Sequence, residues 1–210
     1  MGQAKLNTKV DIGLKGLDRG HHKITYRGVP CIKCPMDYVM YQMIIEEVAP
    51  DLIIEIGTNE GGSALYFSDL LRIYGKGEIH TIDIDDRVAP LVKKQDNIRL
   101  FSEGWEKYDL ALAEKFEKIL VIEDSSHTYA NTLAAIKRFA PVVTPGSYLI
   151  VEDGIIDALG LSAKYGGGPV KAIKEFLPDH SNFELATQWS DFFGTNATFN
   201  TVGYLKCLRQ

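Results

Sequence analysis

The fold is decided by LIIEIGTNEGGSAL, residues 52–65. An apolar run, interrupted only by Glu55, ends at Gly57, and two more glycines follow before a stretch with helical apolar spacing. A strand whose apolar residues run on without alternating with polar ones is buried on both faces, as in a parallel sheet covered by helices. Gly57 permits a tight turn directly after the strand. Gly61 and Gly62 would let the backbone approach a ligand, and the helix start at Ser63 offers unpaired N–H groups. The spacing is Gly-x-x-x-Gly-Gly, not Gly-x-Gly-x-x-Gly, so the turn does not read as a pyrophosphate cradle.

Working outward, four more apolar runs follow: EIHTID (78–83), IRLF (98–101), KILVIED (118–124) and SYLIVED (147–153). Helical patterns near 61–74, 86–95, 105–116 and 128–140 separate them, the last with Leu133, Ile136 and Ala140 as its stripe. Upstream, Tyr41, Ile44, Ile45 and Val48 fall at helical spacing, and Pro50 stops that helix. Downstream, a helix near 170–177 turns Val170, Ile173 and Leu177 inward. FELAT (183–187) and VGYLKCL (202–208) then suit an antiparallel hairpin. The expected architecture is an α/β Rossmann-like domain, with a mostly parallel sheet, helices on both faces and a ligand site at the strands' C-terminal ends. Residues 1–35, rich in Lys, Gly and His, read as an irregular arm before a domain spanning 36–210.

The 210 residues suit one domain, and 23 Lys plus Arg against 28 Asp plus Glu give a net charge of −5 without long runs of one sign. No basic face is expected, which argues against nucleic acid or a membrane surface as partner. No apolar stretch approaches the roughly 18 residues that span a bilayer. The opening MGQAKLNTKVDIG has no apolar core of a secretory signal, and Leu6 stands where a myristoylation pattern needs Ser or Thr. Three cysteines cannot all pair, so a reducing cytoplasm is the natural setting. Cys31 and Cys34 form a lone CxxC. A structural zinc site needs four ligands, and the adjacent His21 and His22 point in different directions, so free thiols are expected.

Glu55, just before the glycine turn, would repel a phosphate and attract an ammonium or sulfonium group. Asp83 ends the second strand, where an acceptor can take both ribose hydroxyls. Gly104 and Trp105, after the third strand, can flank an adenine. S-adenosylmethionine meets all three conditions. Asp124 closes the fourth strand, and Glu152 with Asp153 closes the fifth. If those strands are neighbours, three carboxylates converge, and a hard divalent cation such as Mg²⁺ or Mn²⁺ would offset their repulsion. Alternatively these acids cap helices or pair with Lys and Arg. Glu123 reads as strand-end filler, and His80 and His180 as structural or solvated.

Asp124 precedes the Glu152–Asp153 pair by 28 residues. This spacing resembles the metal site of Mg²⁺-dependent class I O-methyltransferases such as the catechol and macrocin enzymes. RGVPCIKCPMDY, PDLIIEIGTNEGGSAL, DSSHTY, GSYLIVED, GGGPVKAIKEFL and VGYL together resemble the cephalosporin hydroxylase family, whose members are similar to methyltransferases despite their name. The resemblance implies Asp124, Glu152 and Asp153 as metal ligands. It implies Gly57, Asn59, Ser63 and Asp83 as cofactor contacts, with Glu55, Gly61, Gly104, Trp105 and Ser125 beside them. His127 matches the general base, and a helix starting after Asp124 would carry it about one turn on. Ser126 stands where relatives often have an acidic or amide residue. The implied reaction is methyl transfer from S-adenosylmethionine to a hydroxyl of a small molecule, a sugar, polyketide glycoside or similar natural-product acceptor. Assembly through N-terminal segments, giving a homo-oligomer, is common among such relatives. The competing readings are a nicotinamide oxidoreductase, which lacks its glycine fingerprint here, an iron hydroxylase, which would want a His-x-Asp or His-x-Glu pair, and a metal-binding module without activity.

Overall fold

The computed structural model describes residues 8–10 and 12–209. Residues 1–7, 11 and 210 lie outside the described residues, and with them most of the stretch read for leader and lipidation signals.

The arm is not irregular. It holds a helix, α1 (Leu14–His21), and a small antiparallel hairpin of β1 (Thr25–Tyr26) and β2 (Val29–Pro30). Arg27 and Gly28 both take positive φ (50° and 82°), the two-residue turn whose twist matches paired strands, so the signal was the Arg-Gly pair. α2 (Pro35–Val48) follows, with Pro35 in its first turn, where the missing N–H costs nothing. The arm is fastened to what comes after it. Gly62 opens α3 (Gly62–Ile73), and a Cβ there would lie 2.1 Å from the Pro30 carbonyl oxygen. Arg27 and Tyr26 both bond Asp69 of the same helix.

The main sheet contains β3 (Leu52–Ile56), β4 (Glu78–Ile82), β5 (Ile98–Phe101), β6 (Ile119–Glu123), β7 (Tyr148–Val151), β8 (Phe183–Leu185) and β9 (Tyr204–Cys207). Its order is β5-β4-β3-β6-β7-β9-β8. The first five strands run parallel, and β9 lies antiparallel between β7 and β8. The order reverses between β3 and β6, and such a reversal opens a crevice at the strands' C-terminal ends. Ile53 faces the core shared with α2 and α3, while Leu52, Ile54 and Ile56 face the core shared with α5 (Tyr129–Phe139) and α6 (Gly168–Phe176). Both faces of β3 are therefore covered, as its non-alternating apolar pattern required.

Two expected helices shrink. The 86–95 pattern yields only α4 (Pro90–Lys93), and 105–116 yields two short 3₁₀ turns, Trp105–Lys107 and Leu110–Ala113. Tyr108 between those turns is extended, and the Asp109 side chain caps the second by accepting from Ala111 N–H. This competition from a short acidic side chain defeats helical periodicity. A further four-residue helix, α7 (Thr187–Ser190), lies between β8 and β9. No helix among the described residues is long and apolar enough to cross a membrane.

Candidate active site

Parallel register brings the ends of three strands level. Ile56 pairs with Glu123, and Glu123 with Val151, so Gly57, Asp124 and Glu152 follow at one height. Asp124 N–H donates to Ile56 O (2.8 Å), and Glu152 N–H to Glu123 O (2.9 Å). Gly57 has φ +110°, and a Cβ on it would lie 1.9 Å from the Asp124 carbonyl oxygen. No other residue fits where these two chains cross.

A cavity of about 460 Å³ opens above these ends, lined among others by Gly57, Asn59, Asp83, Gly104, Trp105, Ser125 and, at its acidic end, Asp124, His127 and Asp153. Asp83 Oδ2 accepts from Asn59 N–H (2.8 Å), while Oδ1 accepts from Ile84 N–H (2.7 Å) and Asp85 N–H (3.3 Å). The carboxylate thus ties the glycine turn to the loop after β4 and still faces the cavity. Trp105 Nε1 donates to Asn131 Oδ1 (3.2 Å), Asn131 donates to Ser125 Oγ (2.7 Å), and Ser125 Oγ donates to Glu123 Oε1. Glu123 is therefore more than filler. It is fully buried at the root of a chain of hydrogen bonds that ends on the indole.

Three residues expected to touch a cofactor stand off this cavity. Glu55 is fully buried beneath it, with Oε2 accepting from Thr81 (2.6 Å) and Oε1 unpaired. Burial, partly offset by Lys33, pushes its carboxyl up to about 7. A strand residue's side is set by two-residue alternation, and Glu55 points with Ile53 away from the cleft. Gly61 serves packing instead, since a Cβ there would meet Val92 at 2.9 Å. Ser63 is buried in the first turn of α3.

At the acidic end, ligand atoms of Asp124, His127 and Asp153 all lie within 4.8 Å of one another. His127 Nε2 is 3.2 Å from Asp153 Oδ2, and Nδ1 is buried without a partner. His127 is not one turn into a helix, because α5 begins only at Tyr129. It sits instead in a left-handed bend (φ 56°), facing Asp153 in the same conformation (φ 59°), and Asn59 across the cavity shares it (φ 49°). Such backbone outliers among non-glycine residues concentrate at functional sites. Burial works against a charge on His127, but the Asp153 and Asp124 carboxylates outweigh it and hold the imidazole above its ordinary range.

Glu152 stands outside that cluster. Its Oε1 accepts from Lys33 Nζ (2.5 Å) and from Tyr41 OH (2.6 Å), and Lys33 Nζ also donates to Asp124 Oδ2 (2.9 Å). Burial raises the Asp124 and Glu152 carboxyls, with Lys33 opposing it in both. Burial alone would lower the Lys33 ammonium, yet those two carboxylates hold it well above the usual lysine value. Lys33, Tyr41, Glu123 and Asn131 join the candidate site through these bonds; the sequence reading takes Tyr41 as part of a helix stripe and Glu123 as filler, and singles out neither Lys33 nor Asn131. Cys31 and Cys34, which flank Lys33, are buried free thiols pushed up by burial to about 11 and about 12.

The carboxylate oxygens of this set suit a hard cation at the rim of a cleft, with an imidazole beside them. Its cavity suits a ligand with a flat ring and a diol, for which Trp105 and Asp83 are placed.

A family model described as Rhamnosyl O-methyltransferase/CmcI matches residues 19–208. The Rhamnosyl O-methyltransferase of Mycobacterium tuberculosis (strain ATCC 25618 / H37Rv) is 34% identical over 170 residues, covering 76% of this chain and 69% of that protein. That of Mycobacterium leprae (strain TN) is 32% identical over 193 residues, covering 86% and 82%. Among solved structures, the fold is similar to "cmcI-N160 SAH" (TM-score 0.70, 20% identity, 99% of this chain and 98% of that one). It is also similar to "cmcI-D160 Mg-SAM" (TM-score 0.67, 23% identity, 89% and 77%).

Proposed function

The chain belongs to the rhamnosyl O-methyltransferase/CmcI family, and from that premise we propose that it transfers a methyl group from S-adenosylmethionine to a hydroxyl oxygen of a small acceptor. A sugar or a glycosylated natural product is the acceptor class that the relatives' names support. The observation that carries this reading is the juxtaposition of Asp124, His127 and Asp153 beside a cavity floored by Gly57 and Asp83.

Asp83 would accept hydrogen bonds from the ribose hydroxyls, and Trp105, steadied by Asn131, would wall the adenine. Asp124 and Asp153, with Glu152 behind them, would hold a divalent cation, Mg²⁺ or Mn²⁺. When bound, the sulfonium cofactor supplies the electrophilic methyl, and the cation polarises the acceptor hydroxyl and helps to orient it. His127 takes the acceptor's proton at Nε2, the ring nitrogen facing Asp153, while Nδ1 keeps its own proton on the buried side. This needs a neutral imidazole, hence Asp124 and Asp153 engaged elsewhere than on His127. As the O–CH₃ bond forms, the S–CH₃ bond breaks, leaving S-adenosylhomocysteine, a methyl ether and a proton on the histidine. The positive charge passes in that step from the sulfonium to the imidazolium, which forms beside the Asp153 and Asp124 carboxylates. The arm belongs to the same working unit, and a cytoplasmic homo-oligomer completes the reading.

Titration calorimetry tests the cofactor. S-adenosylhomocysteine should bind without acceptor, and Asp83→Ala should weaken it by about 1–3 kcal/mol. Binding of NADH in its place would return the chain to the oxidoreductase reading. Kinetics test the base. His127→Ala should lower kcat by about 10²–10⁴ with metal and cofactor affinity nearly unchanged. Recovery of that variant by excess Mg²⁺ alone would make His127 a support for Asp153 and not the base.

A further inference from the structure

The lysine of the arm reaches the acidic end from the side opposite the cleft. Ile32 lines the cavity, while the Lys33 side chain is only 1% exposed and is absent from the cavity wall. Its ammonium lies 2.9 Å from Asp124 Oδ2 and 2.5 Å from Glu152 Oε1, with the Tyr41 and Phe67 rings 5.7 and 6.0 Å away. Each carboxylate is thus held by one named oxygen. The Tyr41 hydroxyl donates to the same Glu152 oxygen, which fixes that carboxylate's rotation as well as its charge.

We propose that Lys33 is a positioning residue of the divalent-cation site, a clamp that holds Asp124 and Glu152 side by side from behind without entering the cleft that the cation would occupy. The proposal rests on the reading that these carboxylates hold a metal. Its physical basis is the cost of the arrangement. A buried ion pair is seldom better for stability than apolar side chains of similar volume, so stability alone gives little reason for an ammonium at this depth. Two carboxylates ending neighbouring strands repel and would turn apart without a counter-charge between them. Lys33 removes that repulsion without entering the cleft. Side chains that orient metal ligands in this way typically change metal affinity 10–100-fold when removed.

The test measures Mn²⁺ binding by calorimetry in the full chain, with S-adenosylhomocysteine binding as the check that the cavity is intact. Lys33→Met should bind Mn²⁺ about 10–100-fold more weakly, with S-adenosylhomocysteine affinity little changed and partial recovery in Lys33→Arg. Should Lys33→Met fail to fold, Tyr41→Phe removes only one hydroxyl from the same Glu152 oxygen and should weaken Mn²⁺ about two- to tenfold. Unchanged Mn²⁺ affinity in Lys33→Met, or in the folded Tyr41→Phe that replaces it, would overturn the clamp. Tighter affinity in Lys33→Met would overturn it too, showing that the ammonium occupies the cation's own place. If the unaltered chain binds neither Mn²⁺ nor Mg²⁺, the metal reading itself falls, a result distinct from either.

Discussion

Asp37 illustrates how far a single residue can depart from its ordinary chemistry. It lies in the first turn of α2, 1% exposed, and accepts from Thr198 Oγ1 (2.6 Å) and Phe199 N–H (3.2 Å). Burial pushes its carboxyl up to about 8, with the Glu152 charge adding to the rise. An unfolded aspartate titrates near 3.9, so between about pH 4 and pH 8 the folded state keeps a proton that the unfolded state releases. Stability from this group is therefore fully present below about pH 4 and declines as pH rises toward 8. Asp37→Asn keeps the shape and one of the two acceptor oxygens and removes the titration. Urea unfolding at pH 6 and 8.5 should show a smaller loss in the variant, by about 1–3 kcal/mol. Parallel losses in both proteins would mean that Asp37 is already ionised at pH 6. The convergence of Asp124, His127 and Asp153 was legible because the apolar runs before them fix where each strand ends. The approach of Lys33 and Tyr41 was not, since 119 and 111 residues separate them from Glu152 and the helical stripe that holds Tyr41 marks only core packing.

Among the elements, glycine identity distinguishes a crossing point from a mere turn. Gly57 and Gly146 both take positive φ, but only Gly57 faces another chain, the Asp124 carbonyl, while Gly146 faces open space. Gly146→Ala should cost about 1 kcal/mol, the strain of a left-handed alanine. Gly57→Ala adds a clash that only a shift of the β6 end can relieve, and should cost about 3 kcal/mol or more. Denaturant midpoints with unchanged slope would report both, and equal losses would show that the Asp124 backbone yields freely. Strands were readable for the reason that makes Gly57 indispensable: a sheet buried on both faces leaves a non-alternating apolar signature. The helix of 105–116 was overread because Asp109 caps a short turn of its own, and that of 86–95 because Pro90 holds Ala89 extended and lets the helix start only there. The arm's hairpin was missed although Arg27-Gly28 announces it.

At the scale of the whole molecule, the sheet order places Gly57 and Asp83 over β3 and β4 and the acidic cluster over β6 and β7, with the reversal between β3 and β6 joining them. The sheet plan follows from alternating strands and helices, and the fold class was read correctly from them. The boundary drawn at residue 35 cuts across it, because the arm packs on Gly62 and sends Lys33 under both β6 and β7. This has a consequence for the order of events on the ribosome. Lys33 is made 91 residues before Asp124 and 119 before Glu152. At the few residues per second of translation, β3 and β4 emerge while the ammonium still has no partner. Contacts between such distant segments close more slowly than local helices form. A nascent chain thus has a cofactor cleft in outline before it has an acidic end, and the docking of its earliest segment is among the last steps that make it an enzyme.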